Sequence, residues 1–395
     1  MPRGRLRSPF GSGRRHVRCA TWLAACFGLA AVAAADTLVY DTPDARHTVE
    51  GTVTARNSVE VLFLGRDGRM HLVNTSRVVE LKETPEKPKP FTMDEMKASL
   101  RSEFGNTFRV HATNRYIICY SSTFAFAKSC GTLFERMANA FTNYFEQQAK
   151  IPVQQNEYPL VAIIFGTEPE FLAYATQELG EEMARNVIGY YSMLTNRMVL
   201  YDMQAGAGRA GLGNVAGKRP PAAPGGVEAF AEVNIATIIH EAAHQLAYNC
   251  GFHQRFSDNP LWLAEGMGMF FEAPNRQTAT WKGIGEVNRL RLDTFREQHL
   301  GPGAKPLDLP RLIRSDDLLR DRRTALNAYA DSWSLVYFLM KHRREQFFEY
   351  LRILREKPSL DQDTPEQRLA DFKTAFGPNI DKLEEDFLRY MRALR

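Results

Sequence analysis

The stretch Asn234-Ile-Ala-Thr-Ile-Ile-His-Glu-Ala-Ala-His-Gln-Leu-Ala-Tyr-Asn249 constrains this chain more than any other. Its apolar residues (Ile235, Ile238, Ile239, Ala242, Leu246) predict one buried helix, with Asn234 as N-cap and Cys250-Gly251 ending it. His240 and His244 stand four residues apart, so both rings leave the same helix face one turn apart. A buried imidazole without a partner is costly, and this spacing lets two ring nitrogens bind one zinc ion at about 2.0–2.1 Å each. Glu241, about 100° round the helix from His240, needs no metal bond and could take a proton from a water on that ion. By chance such a His-Glu-x-x-His pattern arises in roughly one sequence of this kind in a hundred, so the rival reading of two ordinary histidines needs a third ligand to defeat it.

A catalytic zinc takes three protein ligands and keeps one position open. Pro260-Leu-Trp-Leu-Ala-Glu-Gly-Met-Gly-Met-Phe-Phe-Glu272 predicts a second buried helix, and Glu265 is the acid in its apolar first turns. A buried carboxylate needs a partner, and a divalent ion is a natural one. Glu272, seven residues on, falls roughly on the same face; it either orients a ligand histidine or is an ordinary helix-end charge.

His-Glu-Ala-Ala-His-Gln followed by Trp-Leu-Ala-Glu-Gly resembles the gluzincin zinc peptidases, the thermolysin and aminopeptidase type, and most of all a group of secreted bacterial proteins carrying both motifs. The motif match spans about 234–272, with a weaker likeness at Gly189-Tyr190-Tyr191 and Arg197 to Asp202. The resemblance implies that His240, His244 and Glu265 hold Zn2+, that Glu241 is general base and acid, and that the fold is a zincin-like α+β domain. It also implies an oxyanion donor from a downstream helix, for which Tyr329 in a helix at about 325–341 is the candidate; plain packing of Tyr329 is the rival. Strand Arg197–Tyr201 would be the edge that pairs with an extended substrate, or else an ordinary sheet strand. Two features depart from known patterns. Met269 stands where the thermolysin type has an acid four residues after the ligand Glu. Ala247 and Cys250 stand where a metzincin would have Gly and His, so His253 makes a poor third ligand.

Elsewhere the chain is ordinary. Net charge is +4, but six arginines precede the first acid, Asp36, and without that leader the balance is −2. Nucleic acid is therefore not an expected partner. Residues 1–35 read as a signal peptide: an Arg-rich start, a 16-residue apolar run and Ala33-Ala34-Ala35. Export to a periplasm or beyond follows, with a lipoprotein or N-terminal anchor as lesser readings and no stable membrane span after leader removal. Cys119, Cys130 and Cys250 allow at most one disulfide.

Alternating strands over 36–83 suggest a small all-β barrel of SH3-like type, and 84–91 a Pro-rich linker. Residues 92–272 would form the α+β domain with the metal site, and 273–395 its helical C-terminal part. Strands are expected at 108–111, 116–120, 160–165 and 197–201, and helices at about 93–103, 124–147 and 168–177; 204–228, rich in Gly and Pro, reads as a long loop. The function expected is an exported zinc metallopeptidase acting on peptides or proteins. The alternative is an inactive peptidase-like envelope protein that binds or supports.

Overall fold

The computed structural model describes residues 35–148, 150–203, 227–272, 274–275, 280–281 and 284–395. The leader and the loop expected at 204–228, up to residue 226, lie outside them. Ala34–Arg395 is one compact unit.

The fold is α+β. Strands β1 (Asp36–Asp41), β2 (Arg46–Arg56), β3 (Glu60–Gly65), β4 (Met70–Asn74) and β5 (Val78–Lys82) form an antiparallel sheet ordered β4-β3-β2-β1-β5. The sheet is open: β4 and β5 are its two edges, so the expected barrel is not closed. Five short strands bury only a small core of Leu38, Phe63 and Val73, too little to pull the edges together. The sheet leans on its neighbours instead. Arg255 donates to Gly68 O (2.8 Å) and Met193 O (3.2 Å), and Met70 N donates to Leu194 O (2.7 Å).

Helix α1 (Met93–Phe104) starts at a Thr92–Glu95 capping box. Strands β6 (Arg109–Ala112) and β7 (Tyr116–Tyr120) follow, then α2 (Phe124–Asn143), which continues as a π-helix over Tyr144–Gln148 and so fills the helix expected at about 124–147. Next come β8 (Leu160–Phe165), α3 (Glu168–Leu179), α4 (Glu181–Ala184), β9 (Gly189–Ser192) and β10 (Arg197–Tyr201). The second sheet is ordered β6-β7-β8-β10-β9, parallel between β7, β8 and β10 and antiparallel at both edges. Every residue of β7 and β8 is buried, as continuous apolar runs require when both faces are covered. Tyr116, Ile118 and Tyr120 face a large helical core; Ile117 and Cys119 face a smaller one under α1 and α3. Cys119 and Cys130 thus lie in different cores, and all three described cysteines are free and buried.

On the large-core side lie α5 (Val227–Asn249) and α6 (Leu261–Phe271). After β11 (Pro274–Asn275) and β12 (Thr280–Trp281) the chain is helical: α7 (Arg289–His299), α8 (Leu309–Arg314), α9 (Asp317–Arg320), α10 (Ala325–His342), α11 (Arg344–Arg355), α12 (Pro365–Phe376) and α13 (Ile380–Ala393). No helix among the described residues is long and apolar enough to cross a membrane.

Candidate metal centre

Helix α5 starts at Val227, so Asn234 lies inside it and not at its N-cap; Val-Glu-Ala-Phe-Ala-Glu-Val ahead of Asn234 is good helix sequence. The helix stops at Gly251, whose φ of 81° suits the left-handed turn that ends a helix. Ile238, Ile239, Ala242, Ala243, Leu246 and Ala247 bury its apolar stripe. Gln245, fully buried, donates to Val161 O (3.0 Å) and Asn196 O (2.9 Å), which fixes the helix against the sheet. The motif glutamine is therefore structural.

That anchoring aims both imidazoles at α6. His240 Nε2 and His244 Nε2 are 3.0 Å apart, and Glu265 brings Oε2 to 3.2 Å from His240 Nε2 and Oε1 to 3.7 Å from His244 Nε2. Four bonds of about 2.0–2.1 Å in a tetrahedron hold their donors about 3.3 Å apart, so the three spacings fit one small divalent ion. Among the described residues these three side chains form the one cluster of at least three His, Cys, Asp or Glu able to hold a metal ion.

The surroundings orient the donors. Glu272, at the C-cap of α6, places Oε2 3.1 Å from His240 Nδ1. Its other oxygen accepts from Asn288 Nδ2 at 2.9 Å. With Nδ1 tied to a carboxylate, Nε2 points at the shared centre. Of the two readings of Glu272, contact with a donor histidine is the one found. Buried Met269 leaves the position four residues after Glu265 apolar.

Charge follows geometry. Burial opposes the His240 imidazolium, but Glu265 and Glu272 outweigh it and hold its pKa well above the usual value. His244, desolvated and beside that charge, drops to about 4 despite Glu265. Burial would raise Glu265, yet the bond from His240 and the charges of His244, His240 and Arg291 bring it to about 2. Glu241 is pushed up to about 7, chiefly by burial; its Oε2 accepts from Tyr191 N of β9 at 2.7 Å.

Helix α10 crosses α6 beside Gly266, where an added Cβ would lie 2.6 Å from Ser332 O. This close crossing brings Tyr329 to the site. The Glu265 charge, then burial, raises its phenol well above the usual range, so it keeps its proton. His253 stays outside the donor cluster. It is buried against Tyr248 with ring centroids 5.2 Å apart, and desolvation drops it to about 3. The edge of the sheet beside the site is β9; β10 (Arg197–Tyr201) lies between β8 and β9 and is not an edge.

Three contributors escape a reading of motifs: Gly268, Asn288 and Arg291. Gly268 could be suspected from two glycines in a buried helix; the other two carry no local signal.

An α+β protein with a partly buried His-His-Glu donor set, backed by a second carboxylate, is the class these observations define. Residues 234–361, which contain every donor and Tyr329, match a protein family of unknown function, DUF1570. Among curated proteins none matches the chain.

Proposed function

We propose that the protein is an exported zinc-dependent metallopeptidase of gluzincin type, with His240, His244 and Glu265 as the zinc ligands. What carries the reading is the convergence of the three donors at 3.0–3.7 Å with Glu241 beside them, bonded to the edge strand. A zinc ion held by these three residues would supply Lewis acidity for a carbonyl and a water at that point. The edge strand β9 offers backbone for an extended peptide to pair with, which sets the scissile bond across the site. Glu241 accepts the proton of the attacking water, with Tyr191 N–H fixing the carboxyl, and passes it to the departing amine. Tyr329, protonated, donates to the oxygen on which charge develops. Glu272 holds His240 in one tautomer throughout.

The test is zinc content and cleavage of a mixed peptide library by the full chain and by Glu241→Gln. About one zinc per chain in both, with turnover lowered at least ~10²-fold in the variant, is expected. A wild-type protein that holds zinc and cuts no peptide would favour the non-catalytic envelope role.

A further inference from the structure

Arg291 sits in the first turn of α7, which is pinned to the metal centre. Asn288 caps this helix, accepting from Arg291 N at 3.3 Å, and donates to Glu272 at 2.9 Å. The Arg291 guanidinium lies over the Tyr329 ring, 5.5 Å from its centroid. Its Nε is shielded from solvent and has no hydrogen-bond partner among the described residues. Glu265 and Glu272 are near enough for its charge to stabilise both carboxylates, yet neither comes within ion-pair reach of it. An arginine among carboxylates ordinarily pairs with one of them. Here Glu265 is committed to the donor cluster, and Glu272 to His240 and Asn288.

We propose that Arg291 is the docking point for the free C-terminal carboxylate of a peptide substrate, so that the site acts at the carboxyl end of its substrates. This rests on the peptidase reading above. A guanidinium presents planar paired donors and stays charged, and its best partner is a planar anion with two oxygens. The carbonyl of an internal peptide bond brings one neutral acceptor and leaves the charge unmatched; a chain-terminal carboxylate answers both needs. The Tyr329 ring holds the guanidinium plane, so little side-chain freedom is lost on binding. The reaction stays a simple hydrolysis. Water adds to the scissile carbonyl, the C–N bond breaks, and the proton taken by Glu241 goes to the new amine. The products are a shortened peptide acid and a short C-terminal fragment.

The test compares a short N-acetylated peptide with a free C-terminal acid and its C-terminal carboxamide twin. Binding is measured by calorimetry to the zinc-loaded full chain carrying Glu241→Gln, and cleavage with the wild type. The acid is expected to bind at least about tenfold tighter than the amide. Adding Arg291→Met should close that gap, and Arg291→Lys should restore part of it, with zinc content unchanged. Should Arg291→Met not fold, the acid–amide comparison in the parent protein decides alone. Twins bound and cut equally well would overturn the role of Arg291 and leave the peptidase reading standing. A gap that persists in Arg291→Met would do the same. Twins neither bound nor cut would overturn both.

Discussion

Gly268 lies flat against the His240 ring: a Cβ built on it would stand 2.7 Å from Cε1 and 2.9 Å from Nδ1 of that imidazole. No side chain fits there unless the ring moves, and the ring carries one donor atom and one bond to Glu272. Gly268→Ala raises the helix propensity of α6 by about 1 kcal/mol, so the helix itself should not suffer. The displaced ring should instead weaken metal affinity about 10–100-fold. Chelator competition with zinc, read beside circular dichroism, separates the two effects. Unchanged affinity would mean that the ring is free to slide.

Glu272 and Asn288 form a short relay behind His240. Removing the carboxylate with Glu272→Ala strips Nδ1 of its acceptor and leaves the Asn288 amide without one of its bonds. Zinc affinity is expected to fall about 10–100-fold, with much less change in thermal stability. Glu272→Gln keeps an acceptor oxygen and should lose less than the alanine variant. Equal losses in the two variants would show that the side chain serves packing alone.

The two helices and the clustered His240, His244 and Glu265 were legible because both segments are mostly apolar, which makes their few polar residues conspicuous. The strands at 116–120 and 160–165 were legible as unbroken apolar runs, and 197–201 as an apolar run behind Arg197. Strand order was not. Neither Arg197–Tyr201 nor Gly189–Ser192 carries a local mark of an edge strand, and which becomes the edge depends on pairing across the fold. Asn234 made a plausible cap, but capping potential does not stop a helix whose upstream residues also favour it. The barrel failed because alternation predicts strands and says nothing about closure. The partner of Glu272 stayed open because helical spacing shows a shared face and not which ring will turn toward it.

Arg197 is buried in β10, and Glu103 of α1 accepts from it at 2.7 and 2.8 Å; Arg69 of the N-terminal sheet reaches the same carboxylate. Burial works to raise the Glu103 pKa, but the two guanidinium groups prevail and its folded value lies below 4.5. A depressed folded value means the stabilisation is complete above the unfolded pKa and is lost as pH falls through the folded one. Acid unfolding below about pH 4.5 should therefore draw on this group. Glu103→Gln should cost about 2–3 kcal/mol at neutral pH, because it leaves a buried guanidinium short of its counter-charge. The gap to wild type should narrow as the pH drops below that range. Urea unfolding at several pH values measures both, and a gap independent of pH would contradict the assignment.

Gly266 sets the distance between α6 and α10. A methyl group there would meet Val336 Cγ2 at 2.5 Å and Ser332 O at 2.6 Å, the second a backbone atom that cannot swing aside. Gly266→Ala must therefore part the helices by a few tenths of an ångström or more, at a cost of about 1–3 kcal/mol. Because α10 also carries Tyr329 and α6 carries Glu265, the same displacement separates the phenol from the donor set. On the proposed reading, metal binding rests on α5 and α6 and should survive, whereas peptide turnover would rest on Tyr329 as well and should fall. Thermal unfolding, zinc content and turnover on one preparation distinguish the outcomes. If turnover fell no further than the folded fraction, Tyr329 would be a packing residue. If Tyr329→Phe then matched wild-type turnover, the oxyanion role would pass to another group.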